Sequence, residues 1–364
     1  MRKTILFSEF LYAFFVFILA ILSTYIVQFK GGGYDADRFY QHAGDWISHG
    51  NFELVFDSEA FIQLVGIYRL IGIDQAFSAY IGFLLLFGLV IYITKNLPIT
   101  FLFIIISYYC YLSPSAILRV PVLLREPYVM FGLLFSIYLL SKNILNQKFL
   151  NLNFFISFFV LLFFSVFHKA AIVFIPVVIT LYILFFIIKD VKGLLWVLII
   201  FALLGTVFFQ IVDHLPSGRG TQVLLSLASG DFDTLSRLAD NKSSRDFQST
   251  YSFDVDYTSF FGILKTIIIS NFYYYFKPFV TDIKDLPTLF LFVENIVRVL
   301  FLMYLVKIFI KEKSVPALFV LASYLLFNMI WAMGTFNFGT GSRHHWASSF
   351  ILFALLPYYK RKSI

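Results

Sequence analysis

Residues 153–188 read NFFISFFVLLFFSVFHKAAIVFIPVVITLYILFFII, and His168 and Lys169 are the only acidic or basic residues in them. The pair parts two apolar runs, 153–167 and 170–188. Runs of that kind suit helices in a bilayer, where every backbone group must be satisfied within its own segment, whereas a membrane barrel would show strands of ~10 alternating residues. Similar runs recur outward in both directions, at 10–29, 76–94, 99–113, 127–141, 193–212, 289–310, 316–333 and 347–359. The expected fold is therefore all-α, a polytopic transmembrane helix bundle of about ten spans, with residues 1–364 forming a single integral membrane domain. The composition agrees: 60% of residues are hydrophobic and 13% charged, against about 25% charged in a soluble domain. Disorder and a disulfide-stapled secreted domain are excluded, the latter because Cys110 is the only cysteine. The net charge of +7 is carried by cations scattered singly between apolar runs, so nucleic acid is not expected as a partner.

Those cations set orientation. With the N-terminus in the cytoplasm, ten spans return the C-terminus there, and the cytoplasmic set contains Arg2, Lys3, Lys95, Lys142, Lys148, Lys189, Lys192, Lys307, Lys311, Lys313, Lys360, Arg361 and Lys362 against Glu9, Asp190 and Glu312. Positive charge is thereby concentrated inside, as membrane insertion favours. The cytoplasmic loops carry no Gly-rich phosphate cradle, so no ATP-driven step is expected of the chain. Polar complexity collects outside, in loops over 30–60, 213–288 and 334–346.

The first outer loop reads GGGYDADRFYQHAGDW over 31–46. Its spacing predicts a helix from Asp35 onward, with Asp35, Arg38, His42 and Asp45 on one side. That face suits either a solvated amphipathic helix on the membrane surface or a sugar site, in which aromatic rings stack on pyranoses and a carboxylate accepts a proton. A DxD pair can also hold a divalent metal. Between two runs, residues 113–127 read SPSAILRVPVLLREP. Pro127 fits the first turn of a helix, whose N-terminus favours an anion. Arg119 and Arg125 project from apolar sequence and need a carboxylate, a phosphate or a wet cavity beside them. Lys169 either snorkels to headgroups or binds an anion.

The middle loop carries Arg219, Arg237, Lys242 and Arg245 and leads into 260–279, where FYYYFKPF at 272–279 suits a re-entrant or interfacial helix. Glu294 and Arg298 stand four residues apart in an apolar run, either as an intrahelical pair or as part of a site. The last outer loop, GTFNFGTGSRHHW over 334–346, combines backbone-exposing glycines with Arg343, His344 and His345, a phosphate-binding composition. Adjacent histidines diverge on a helix, so a chelating pair is not expected there.

The order of these elements resembles the polytopic oligosaccharide repeat-unit polymerases of bacterial surface polysaccharides. These are the Wzy-like O-antigen and EpsG-like exopolysaccharide polymerases, related more loosely to GT-C glycosyltransferases. The resemblance lies in the acidic first loop, LREP at 124–127, His168-Lys169, YFKPF at 275–279 and residues 337–345. It implies a multi-pass enzyme of the bacterial inner membrane, with both termini cytoplasmic. Such an enzyme joins undecaprenyl-pyrophosphate-linked repeat units, with membrane lipid, a flippase and a chain-length regulator as partners. By that resemblance Asp37 or Asp35, or else His42, is the catalytic base. Arg119, Arg125, Lys169, Arg343 and His344 bind pyrophosphate, and Tyr34, Arg38, Tyr40, His168, Arg219 and Lys277 bind sugar. No metal or other cofactor is required, because fixed cations in a low-dielectric site neutralise the leaving group. A GT-C transferase adding one sugar from a polyprenyl-phosphate donor, and a flippase for lipid-linked oligosaccharide, are the alternatives.

Overall fold

The computed structural model describes residues 33–50, 60–94, 113, 115, 123–168, 174–187, 260–333, 335 and 338–358. Regular structure among these residues is entirely helical. The described residues form ten α-helices: α1 (Gly33–Ser48), α2 (Ala60–Leu70), α3 (Gln75–Thr94), α4 (Glu126–Asn146), α5 (Leu152–Ser165), α6 (Phe174–Ile187), α7 (Phe260–Phe276), α8 (Leu286–Lys311), α9 (Val315–Met333) and α10 (Phe338–Ser349), with 3-10 segments at Val280–Asp282 and Phe350–Tyr358.

Four of the described helices, α3, α4, α8 and α9, are long and apolar enough to cross a membrane. They coincide with the runs at 76–94, 127–141, 289–310 and 316–333. The runs at 153–167 and 170–188 appear as α5 and α6, of 14 residues each, or about 21 Å, shorter than a hydrocarbon core of about 30 Å. The run at 347–359 is divided between the end of α10 and the 3-10 segment Phe350–Tyr358. The runs at 10–29 and 193–212, and 99–113 apart from Ser113, lie outside the described residues. The reading at 260–279 meets a helix, α7, while α2 falls where no element was expected.

The chain divides into two units, one comprising residues 1–175 with 346–364 and the other 176–345. In the first, Tyr128 lies against Gly82 and the Tyr138 ring is 6.4 Å from Tyr92. The same offset at both points means that α3 and α4 run parallel. Helices α4 and α5 instead form an antiparallel hairpin. The side chain of Asn151 caps α5 by accepting from the Phe154 N–H at 3.1 Å, and the amides of Asn143 and Asn151 exchange hydrogen bonds of 2.7 and 2.9 Å. Ser136 donates to the Ser157 carbonyl at 3.0 Å. Farther along, a Cβ on Gly132 would sit 2.5 Å from Phe164, so only glycine admits so close an approach. The 3-10 segment 350–358 packs on α3 and α4, with the Tyr358 hydroxyl 2.7 Å from Ser141 Oγ.

In the second unit, α7 packs on α8 and α9, and Tyr182 and Phe185 of α6 meet Phe319 of α9 edge-on. Helix α8 leaves Phe290, Val297, Leu300 and Met303 exposed. Water penalises an apolar stripe of that length, whereas lipid accommodates it.

Candidate functional site

The antiparallel hairpin carries the end of α5 to the start of α4, and the Phe167 and Tyr128 rings lie 5.9 Å apart. Phe61 of α2 packs edge-on against both, at 6.3 and 5.7 Å, and against Phe39 of α1 at 5.2 Å. This aromatic nucleus gathers α1, α2, the start of α4 and the end of α5 at one end of the first unit. The Tyr68 and Tyr128 hydroxyls meet at 3.1 Å beside it, and burial pushes the Tyr68 hydroxyl above its ordinary value despite the lowering effect of that bond.

Around the nucleus stand several of the residues expected from sequence. The Arg125 guanidinium is 5.6 Å from the Phe39 ring centroid and half-buried. Helix α4 starts at this end with the buried Glu126 and Pro127 in its first turn, so the positive end of its dipole faces the same way. Helix α1 is amphipathic as expected: Ala36 and Ala43 are buried, while Asp37, Arg38, His42 and Asp45 are exposed. Asp37 Oδ1 accepts a 2.8 Å bond from the Gln75 amide at the start of α3. The Tyr40 hydroxyl donates to the Ile73 carbonyl at 3.4 Å. His168 is half-buried one residue beyond Phe167. Tyr34 and Asp35 belong to the first turn of α1, but their side chains lie outside the described residues, as do Arg119, Lys169 and Arg219.

Arg69, at the end of α2, is absent from the expectations. Its guanidinium stacks over Tyr40 at 4.4 Å, and Nη1 donates to the Tyr40 carbonyl at 2.6 Å. The only sequence signal for it is a lone cation ending the apolar stretch AFIQLVGIYRL.

In the second unit the polar residues converge on the end of α7. An α-helix leaves its last carbonyls without intrahelical partners. Here His345 Nε2 donates to the Tyr274 carbonyl at 2.9 Å, Arg298 Nη2 donates to that of Tyr275 at 3.0 Å, and the Asn295 amide donates to that of Lys277. Arg298 and His345 are 3% and 2% exposed. The His345 ring lies 3.8 Å from that of Tyr274, whose hydroxyl donates to Asn328 Oδ1 at 3.1 Å. Burial first, and then the nearby Arg298 charge, hold the His345 imidazole well below its ordinary pKa, with the Tyr274 carbonyl opposing them. The imidazole is neutral at pH 7 and carries its proton on Nε2.

His344 is held differently. The Thr335 hydroxyl has one proton, donated to the Trp331 carbonyl at 2.8 Å, so Thr335 Oγ1 accepts from His344 Nδ1 at 3.2 Å. The ring stacks on Trp331 at 4.2 Å. Arg343 is half-buried in the same helix. Lys277 makes a 3.3 Å ion pair with Asp282 and lies over the Tyr273 and Phe279 rings at 5.0 and 5.2 Å.

No group of three or more metal-ligating side chains occurs among the described residues. No family model, curated protein or solved structure matches the chain.

Proposed function

We propose that the chain is a membrane glycosyltransferase that polymerises undecaprenyl-pyrophosphate-linked oligosaccharide repeat units on the outer face of a bacterial cytoplasmic membrane. The observation that carries this reading is the meeting, at one end of the first unit, of α1 with Asp37 and Tyr40, of Arg125 at the start of α4, and of His168 beyond α5. These stretches are far apart in the sequence, and they combine an exposed carboxylate, aromatic rings and a half-buried cation at a helix N-terminus. In the reaction the acceptor hydroxyl oxygen bonds to the anomeric carbon of the donor glycan as that carbon's bond to the pyrophosphate oxygen breaks. The hydroxyl proton passes to the Asp37 carboxylate, oriented by Gln75, and the lipid pyrophosphate leaves with the bonding electrons beside Arg125. His42 is the alternative base and is equally exposed on α1.

The reading includes ten crossings with both termini in the cytoplasm. The parallel packing of α3 and α4 supports it, because two spans that run the same way need a return between them, and the sequence there contains the apolar run 99–113. A flippase delivers the substrate and a chain-length regulator limits the product. The test uses purified full-length protein in vesicles with lipid-linked repeat units and no nucleotide. A ladder of products is expected. A single addition from a polyprenyl-phosphate sugar would identify a GT-C transferase instead, and translocation with no covalent change a flippase; either outcome overturns the proposal.

A further inference from the structure

Arg69 differs from the other well-placed cations in what surrounds its charge. Lys277 has Asp282, and Arg298 is spent on a helix terminus. Arg69 is half-buried, yet among the described residues no carboxylate lies within ion-pair distance of it. Of the acids on the flanking helices, Asp37 accepts from Gln75, Asp74 caps α3 through the Phe77 N–H at 2.7 Å, and Asp45, next to Gly44, is exposed and makes no ion pair with Arg69. Both groups that hold Arg69, the ring and the carbonyl of Tyr40, are electrically neutral. Gly44 completes the seat, since a Cβ there would come within 2.3 Å of Nη1.

The guanidinium is thus fixed from three directions without being neutralised. Stacking occupies a face of the group, and the Tyr40 carbonyl takes one donor on Nη1. The in-plane N–H groups on Nε and Nη2 meet no acceptor among the described residues, and that edge matches two oxygens of a phosphoryl group. A partly desolvated cation at the end of an apolar helix is stable where an anion sits beside it. Arg125, over the adjacent Phe39, brings a second guanidinium to the same helix.

We infer that Arg69 is a phosphoryl-binding residue, seated on Tyr40 and Gly44 to hold the phosphate or diphosphate headgroup of a lipid. The identity of that lipid as the diphosphate carrier rests on the function proposed above; the presence of an anion site does not. The test measures lipid binding to purified full-length protein in phosphatidylcholine nanodiscs, with undecaprenyl pyrophosphate, phosphatidylglycerol and uncharged undecaprenol as probes. Arg69→Gln is expected to weaken undecaprenyl pyrophosphate binding about 10- to 100-fold while leaving undecaprenol binding unchanged, and Arg69→Lys to fall between. Gly44→Ala, which keeps the charge but displaces it, should weaken diphosphate binding in the same direction.

An equal loss of phosphatidylglycerol would assign the site to membrane phosphate in general and overturn the carrier assignment. Wild-type diphosphate affinity in Arg69→Gln overturns the site itself. Equal loss of undecaprenol in Arg69→Gln and Gly44→Ala alike would mark a packing role and also overturn it. Binding does not require glycan synthesis, so diphosphate affinity that depends on Arg69, in protein that makes no polymer, would refute the polymerase reading and retain the anion site.

Discussion

The two units use their cations in opposite ways. At the α1 end of the first unit, Arg69 and Arg125 lie over the Tyr40 and Phe39 rings, and the neutral ring and carbonyl that hold Arg69 leave its charge unneutralised. In the second unit, Arg298, His345 and Asn295 donate to the carbonyls of Tyr275, Tyr274 and Lys277, and so close the end of α7. The C-terminus of a helix carries partial negative charge, so Arg298 is there both a hydrogen-bond donor and a dipole partner. The contrast separates cations suited to a ligand from cations that hold helices together, a distinction that residue type alone does not make.

The largest expected effect tests the structural side of the contrast. Arg298→Leu removes the donor and leaves the Tyr275 carbonyl without it in a buried position, at a cost of about 3 kcal/mol. Thermal unfolding of the protein in nanodiscs reads this directly. A midpoint equal to that of the wild type would mean that Arg298 does not brace α7, and the division between the units would fail.

Arg125→Gln tests the other side. Polymer formation is expected to fall about 100-fold, the usual scale for removing a group that stabilises developing negative charge. Stability should change by less than for Arg298→Leu, because Arg125 is half-buried whereas Arg298 is 3% exposed. A loss of stability comparable with that of Arg298→Leu, at unchanged activity per folded molecule, would place Arg125 among the bracing residues.

The helical class, four of the long helices and the amphipathic face of α1 were legible from periodicity and from runs without charge, because burial in lipid constrains every residue of such a segment. The meeting of α1, the start of α4 and the end of α5 at one end of the first unit agrees with the expectation that their polar stretches share a side. What escaped was set by tertiary partners. Arg69 lay in a stretch where no element was expected, and its importance comes from Tyr40 and Gly44, more than twenty residues away. Glu294 and Arg298 suggested by spacing an intrahelical pair or part of a site, and spacing gave no sign of the bond that Arg298 makes to the Tyr275 carbonyl of another helix. The two adjacent histidines are alike in sequence, yet one is buried on the Tyr274 carbonyl and the other is tied through Nδ1 to Thr335.

His345 sharpens the contrast through pH. Its native pKa is depressed below the ordinary value of 6.5, so the unfolded chain binds the proton more readily. The associated stability is complete above about pH 6.5 and is lost as the pH falls. The loss should grow as the pH falls below that value, by at most about 1.4 kcal/mol per pH unit for one proton. His345→Gln retains an amide donor and should flatten this component of the stability profile. An unchanged acid slope in that variant would show that another group is responsible.

The smallest effect asks whether the first unit, away from the α1 end, also spends its polar groups on bracing. Ser141 Oγ lies 2.7 Å from the Tyr138 carbonyl and 2.7 Å from the Tyr358 hydroxyl. Its single proton goes to the carbonyl, which can only accept, so Tyr358 must donate to Ser141. The two truncations are therefore unequal. Ser141→Ala leaves a buried hydroxyl on Tyr358 without its acceptor and should cost about 2 kcal/mol, whereas Tyr358→Phe leaves Ser141 still bonded to Tyr138 and should cost about 1 kcal/mol. Combining them removes the orphaned group, so the double variant should lose less than the two single losses together. Equal single costs that add fully would reverse the proton assignment. They would also remove the reason for regarding this contact as bracing of the kind that closes α7.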